Sequence, residues 1–198
     1  MHLPRRRALL MRAALALALS GSLRPAWAQI GGPIRPPVEL AHAHAYRSDE
    51  GVIVGYDVRF ELPHEVEDAL LKGVAVVFVA RADVFRERWY WRDRALASTE
   101  RRWRLAFQPL TRRWRVSFDG LSQHYNTLGE ALGVMTRSSR WRVMDWNPAT
   151  EDRDCYIEFH FELDRNELPR PMQIGLSDQN EWTLSVTRRL PIAPAPVK

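Results

Sequence analysis

The sequence predicts a mainly β domain, an antiparallel β-sandwich or an open barrel carrying two short helices. Three observations carry that expectation. Apolar residues recur at every second position over several segments, the spacing that puts them on one face of a strand. Turn-forming stretches separate these segments at hairpin-length intervals. Helical periodicity is confined to two windows, about 64–72 and 128–136.

Val52 to Leu62 opens the pattern, with Val52, Val54, Tyr56, Val58, Phe60 and Leu62 on one face and Asp57, Arg59 and Glu61 on the other. Pro63 to Asp68 starts the first helix, with acids near its N-terminus where the dipole favours them, and Gly73 is its stop. Val74 to Val79 is almost wholly apolar and β-branched, as in a strand covered on both faces. In the next run Phe85, Glu87, Trp89 and Trp91 share one parity, while Arg86, Arg88, Tyr90 and Arg92 share the other. Trp103, Leu105 and Phe107, then Trp114, Val116 and Phe118, flank a Pro109-Leu110-Thr111 turn and read as a hairpin. Thr127 and Glu130 form a capping-box pattern that starts the second helix. Trp141 and Val143 mark a short strand, and Asn147 to Asp154 a polar loop. Cys155 to Leu163 is the cleanest alternation. Leu168-Pro169-Arg170-Pro171 is extended, because each proline biases its predecessor away from helix. Trp182, Leu184 and Val186 mark the last strand of roughly eight.

The N-terminus has a different character. Arg5, Arg6 and Arg7 precede an apolar run from Ala8 to Leu19, and Ala26-Trp27-Ala28 offers a signal-peptidase site. The expectation is a signal peptide over residues 1–28, cleaved after Ala28, and hence a periplasmic protein. The run is shorter than the roughly 20 residues a bilayer span needs. An uncleaved anchor is the alternative, and the arginine run leaves general-secretory and twin-arginine export both open. Residues 29–37 read as a flexible lead-in, 38–190 as one β-rich domain and 191–198 as a Pro-rich tail. No later segment is long and apolar enough to span a membrane.

Charge follows from that division. The chain has 29 basic and 24 acidic residues, but five of the arginines and none of the acids lie in the leader. The remainder is therefore balanced at 24 of each, which gives no basic footprint for nucleic acid. Cys155 is the only cysteine, so no intramolecular disulfide forms and stability must come from apolar burial.

Over residues 85–92, 102–108 and 113–118 the Trp and Phe rings are expected inside and the arginines outside. Glu61, Glu87, Glu158 and Glu162 are the acids available to face them. This outward row makes Arg102, Arg104, Arg113 and Arg115 the candidate binding residues for an anionic glycan or lipid. His42 and His44, two apart on a strand, could reach one metal but do not complete a site, so no metal is assigned. His64, His124 and His160 stand isolated. Cys155 and His160 fall on opposite faces of their strand and cannot pair as nucleophile and base. Glu158 and Glu162 face the same way, as acids often do on a wet sheet. No nucleophile-elbow, zinc-protease, C-x-x-C or phosphate-loop motif is present, and no catalytic residue or cofactor is assigned.

Several stretches together resemble one family. They are R-W-Y-W-R-D at 88–93, W-R-L-A-F-Q-P-L-T-R-R-W-R-V-S at 103–117 and T-L-G-E-A-L at 127–132, with Leu163-Asp164, L-P-R-P at 168–171 and W-T-L-S-V at 182–186. The family is DUF4390, uncharacterised exported bacterial proteins with no assigned activity. The resemblance implies a gene beside a membrane sensor histidine kinase of the nitrogen-regulation type, and hence that kinase as partner. The expected function is a non-catalytic binding or accessory protein of an envelope sensory system. The alternative is a module that binds an anionic glycan or lipid through its arginine face.

Overall fold

The structure, a computed structural model, describes residues 38–90, 92–145, 155–168 and 184–194. The leader, Trp91, the loop from Asn147 to Asp154, the prolines after Leu168 and Trp182 lie outside the described residues. The elements run β1 (Val38–Ser48), β2 (Gly51–Phe60), α1 (His64–Leu71), β3 (Val76–Arg86), β4 (Arg94–Gln108), β5 (Arg113–Phe118) and β6 (Leu121–Tyr125). Then follow α2 (Leu128–Thr136), β7 (Arg137–Met144), β8 (Cys155–Leu163), a 3-10 turn (Arg165–Glu167) and β9 (Ser185–Ala193).

The nine strands form one sheet in the order β6-β5-β4-β3-β8-β9-β1-β2-β7. All pairings are antiparallel except β1 with β9, which is parallel at Ala45–Ile192 and Tyr46–Ala193. Of the two expected architectures the open barrel is the one adopted: the sheet is single, mixed and curled into a half-barrel. The curl brings β7 from one edge across to β4. There Thr99 Oγ1 donates to the Val143 carbonyl at 2.8 Å, and Arg101 Nη1 to Ser138 Oγ at 3.2 Å. The β3 neighbours of Thr99 and Arg101 are Ala82 and Ala80, both fully buried. Small side chains at that point let β7 come close.

Inside the curl the alternating apolar residues meet. Phe78 and Phe161 stack at 6.0 Å, Phe60 joins both, and Tyr56 packs on Phe159 at 4.9 Å. Burying a side chain of this size stabilises by roughly 1.5–3 kcal/mol. Trp103, Trp114 and Trp141 are 4%, 7% and 2% exposed, so the inward placement of these three tryptophans holds. Val76 to Ala80 is buried on both faces, as its unbroken apolar run requires. Gly55 is needed for contact: a Cβ there would run into the His44 imidazole, which lies across it from β1.

Both helices fall where expected. α1 buries Val66, Ala69 and Leu70 and has acids in its first turn. α2 carries the complete capping box: Thr127 Oγ1 accepts from the Glu130 amide at 3.2 Å, and Glu130 Oε2 accepts from the Thr127 amide at 3.3 Å.

Three expectations need correction. Residues 87–90, 92 and 93 are not in a strand but at the tip of the β3–β4 hairpin, whose last pair is Arg86–Arg94. β6 adds a strand after the Asp119-Gly120 turn, where both residues have positive φ (49° and 76°), as the tight turn of a twisted hairpin requires. β9 continues to Ala193, three residues into the stretch read as tail.

Candidate functional site: an aromatic tip and an arginine face

Arg102, Arg104, Arg113 and Arg115 share the outer face, as predicted. Register brings them together: Arg104 lies opposite Ser117, Arg115 opposite Ala106, and Arg113 opposite Gln108. They do not share a chemistry. Arg102 is held at 2.9 Å by Glu100, at 2.7 Å by Asp164 and at 3.4 Å by Glu167. Arg104 reaches Glu167 at 3.6 Å, and Arg81 reaches Glu100 at 2.8 Å. Hydrogen bonds from Arg81 and Arg102 hold the Glu100 carboxyl below the usual carboxylate range. These partners are not the acids expected from sequence, because Glu100 sits within the arginine run itself and Asp164 and Glu167 follow β8. Arg113 instead donates to Asn126 Oδ1 at 3.2 Å, and Arg115 faces His124 on β6. Among the described residues no carboxylate pairs with Arg113 or Arg115. Of these four arginines, the two without a carboxylate partner among the described residues lie at that end.

The β3–β4 tip is built differently. Trp89 is 92% exposed and Tyr90 68%, and their rings meet edge to face at 4.9 Å. The base beneath them is braced. Asp93 accepts from the Arg88 amide through Oδ1 at 3.2 Å and from the Tyr156 hydroxyl through Oδ2 at 2.7 Å. The Arg189 guanidinium covers the Tyr156 ring at 3.6 Å and pairs with Glu87 at 2.8 Å, while Phe85 stacks on the same ring at 5.5 Å. The hydrogen bond to Asp93 pushes the Tyr156 hydroxyl up to about 12, and the same bond holds Asp93 low. Both acids of the tip are thereby engaged from below, and the aromatic pair is held outward.

His42 and His44 lie on the outer face of β1. His42 is opposite Asp57, whose carboxylate lies 3.9 Å from Arg59 and 3.7 Å from Arg137, and His44 stacks on Tyr46 at 6.0 Å. No group of three potential metal ligands gathers among the described residues. Cys155 is a buried thiol on the inner face and His160 lies on the outer, so the two do not meet. His160 is not isolated, however. Its Nδ1 is 2.7 Å from Thr187 Oγ1 and its Nε2 is 3.0 Å from Glu162 Oε2. That is the order of hydroxyl, imidazole and carboxylate in a nucleophilic relay. It stands on the outer surface of the sheet, with Thr187 on β9 opposite His160 on β8.

Sequence reasoning missed Tyr156, Asp93, Arg189 and Thr187, which meet only through the β3–β8–β9 pairing. It turned Trp89 inward, whereas the ring is exposed; Tyr90, which shares the parity of the outward arginines, is exposed as that parity requires. No helix among the described residues is long and apolar enough to cross a membrane.

Comparison with known families matches residues 35–190 to the domain of unknown function DUF4390. No curated protein and no solved structure matches the chain.

Proposed function

The chain belongs to the DUF4390 family, and from that premise we propose that it is an exported, non-catalytic binding protein that serves an envelope sensory system from the periplasm. Its docking element is the β3–β4 tip. The observation that carries this reading is the outward Trp89–Tyr90 pair on a braced base. An exposed indole gains most when a partner covers it, and Trp, Tyr and Arg dominate the energetics of protein interfaces. Arg88, Arg92 and Arg94 flank the pair in sequence, so the tip offers the residue types of such an anchor. The partner is the exported portion of a membrane sensor histidine kinase.

Export and docking are tested together. A photo-crosslinking residue is placed at position 90 in intact cells, the cells are fractionated, and the captured protein is identified. The expected result is a periplasmic chain lacking its leader, joined to a membrane kinase, with capture lost in Trp89→Ala. Recovery in the cytoplasm, or capture indifferent to Trp89, overturns the proposal.

A second reading is favoured by Arg113 and Arg115, which no described carboxylate neutralises: an anionic glycan or lipid lies on that end of the outer face. Binding to a polyanion column that weakens with salt and with Arg113→Ala and Arg115→Ala supports it. Retention unaffected by both removes it.

A further inference from the structure

We infer that Arg101 is the centre of a binding site for a small organic carboxylate, on the inner side of the sheet where β4 meets β7. The site lies apart from the tip and does not rest on the docking proposal.

Arg101 has the parity of Trp103 and Leu105, not that of the outward arginines. Its guanidinium carbon lies 5.0 Å from the centre of the Trp141 ring and 6.0 Å from that of Phe118. Nη1 donates to Ser138 Oγ at 3.2 Å. The neighbouring cations Arg81 and Arg102 are held by carboxylates, whereas among the described residues Arg101 has none. The Tyr56 hydroxyl also engages the guanidinium. That hydroxyl is buried and donates to the Met135 carbonyl at 3.2 Å, and burial pushes its pKa up, so it stays neutral and supplies no counter-charge.

A partly buried cation without an opposite charge is unfavourable. Two aromatic faces recover part of that cost. A carboxylate recovers more, because the guanidinium presents a planar fork of N–H groups matched to two oxygens, and its polar partners Ser138 and Tyr56 are uncharged hydroxyls. The hydroxyl of Thr99 is already committed to the Val143 carbonyl, but Ser138, as acceptor from Arg101, keeps its own hydrogen to donate. Phe118 stacks on Trp103 at 5.5 Å yet remains 38% exposed, which leaves apolar ring surface beside the charge. The combination selects a carboxylate carried on a flat apolar body over a bare ion.

The test titrates the full chain with benzoate, acetate and inorganic phosphate. It follows the thermal midpoint and the Arg101 Nε resonance, and repeats the benzoate titration on Arg101→Met and Arg101→Lys. Benzoate is expected to move the resonance saturably and to raise the midpoint, with acetate weaker by roughly tenfold or more. Arg101→Met abolishes the response. Arg101→Lys keeps the charge but loses the fork, and weakens binding by roughly tenfold or more. Phosphate binding more tightly than benzoate overturns the carboxylate assignment. An Arg101 resonance that none of the three anions moves overturns the site, and that measurement needs only the unaltered protein.

Discussion

Asp93 takes one hydrogen bond on each carboxylate oxygen, from the Arg88 amide and from the Tyr156 hydroxyl, and so ties a loop to the middle of a sheet. The tie is sensitive to pH at both ends. Tyr156 ionises at about 12 in the fold, against about 10 for a free phenol. Its contribution is complete below pH of about 10 and is lost as pH rises through 12. Asp93 is held below the ordinary aspartate value of about 3.9, so its contribution is complete above that pH and is lost as pH falls through the lowered value. Tyr156→Phe is expected to lower stability by about 0.5–1 kcal/mol, the low end for a bond at the surface. It should also return the Asp93 carboxyl toward its free value in an NMR titration. An Asp93 resonance that titrates unchanged would show that the bond does not form in solution. Deeper in, Phe159 is fully buried and packed on Tyr56. Phe159→Ala is expected to cost about 3–5 kcal/mol in a denaturant titration.

At the scale of single elements, the local signals were strong wherever one face of a segment meets the core. β8 was legible to the residue, Cys155–Leu163, because its alternation is uninterrupted and its inner face is wholly buried. The capping box of α2 was equally plain, since both of its bonds are made within four residues of chain. Thr127→Ala is expected to cost about 1 kcal/mol, measured as a shifted unfolding midpoint at unchanged slope. The tip misled for a physical reason. Trp89 and Arg88 alternate as strand residues do, but no layer faces them, so alternation there records no burial. β6 was missed although Asp119-Gly120 is a strong hairpin signal, because four of its five residues are exposed and its pattern carries no apolar stripe. The tip makes its own prediction. Trp89→Ala and Tyr90→Ala remove surface that the fold does not use, so stability should stay within about 0.5 kcal/mol of the parent. A larger loss would mean that the rings pack onto the domain.

Strand order belongs to the whole molecule and was not legible. Local alternation says which face a strand buries, but nothing in it says that β8 pairs with β3, or that β9 lies between β8 and β1. The same holds for Arg101, whose parity marks it as inward but whose neighbours Ser138 and Trp141 arrive only through the curl. The curl depends on one contact between distant parts of the sheet. β7 is an edge strand, hydrogen-bonded in the ladder only to β2, and its far side is held by side chains. Trp141 is part of that hold: it is buried, meets Tyr56 of β2 edge to face at 6.3 Å and lies under Arg101 of β4. Truncating it leaves a cavity between β7 and β4, inside the curl, that the stiff ladders on either side cannot collapse to fill. Trp141→Ala should therefore cost about 3–5 kcal/mol, and the loss should fall unevenly. Amides of β7 are expected to exchange by local opening of the edge, while those of β3 and β8, each paired on both sides, keep exchanging only through global unfolding. Hydrogen exchange on the variant reads this directly: equal loss of protection in β7 and β8 would mean that the half-barrel opens as one unit and that its closure is not a separable contact.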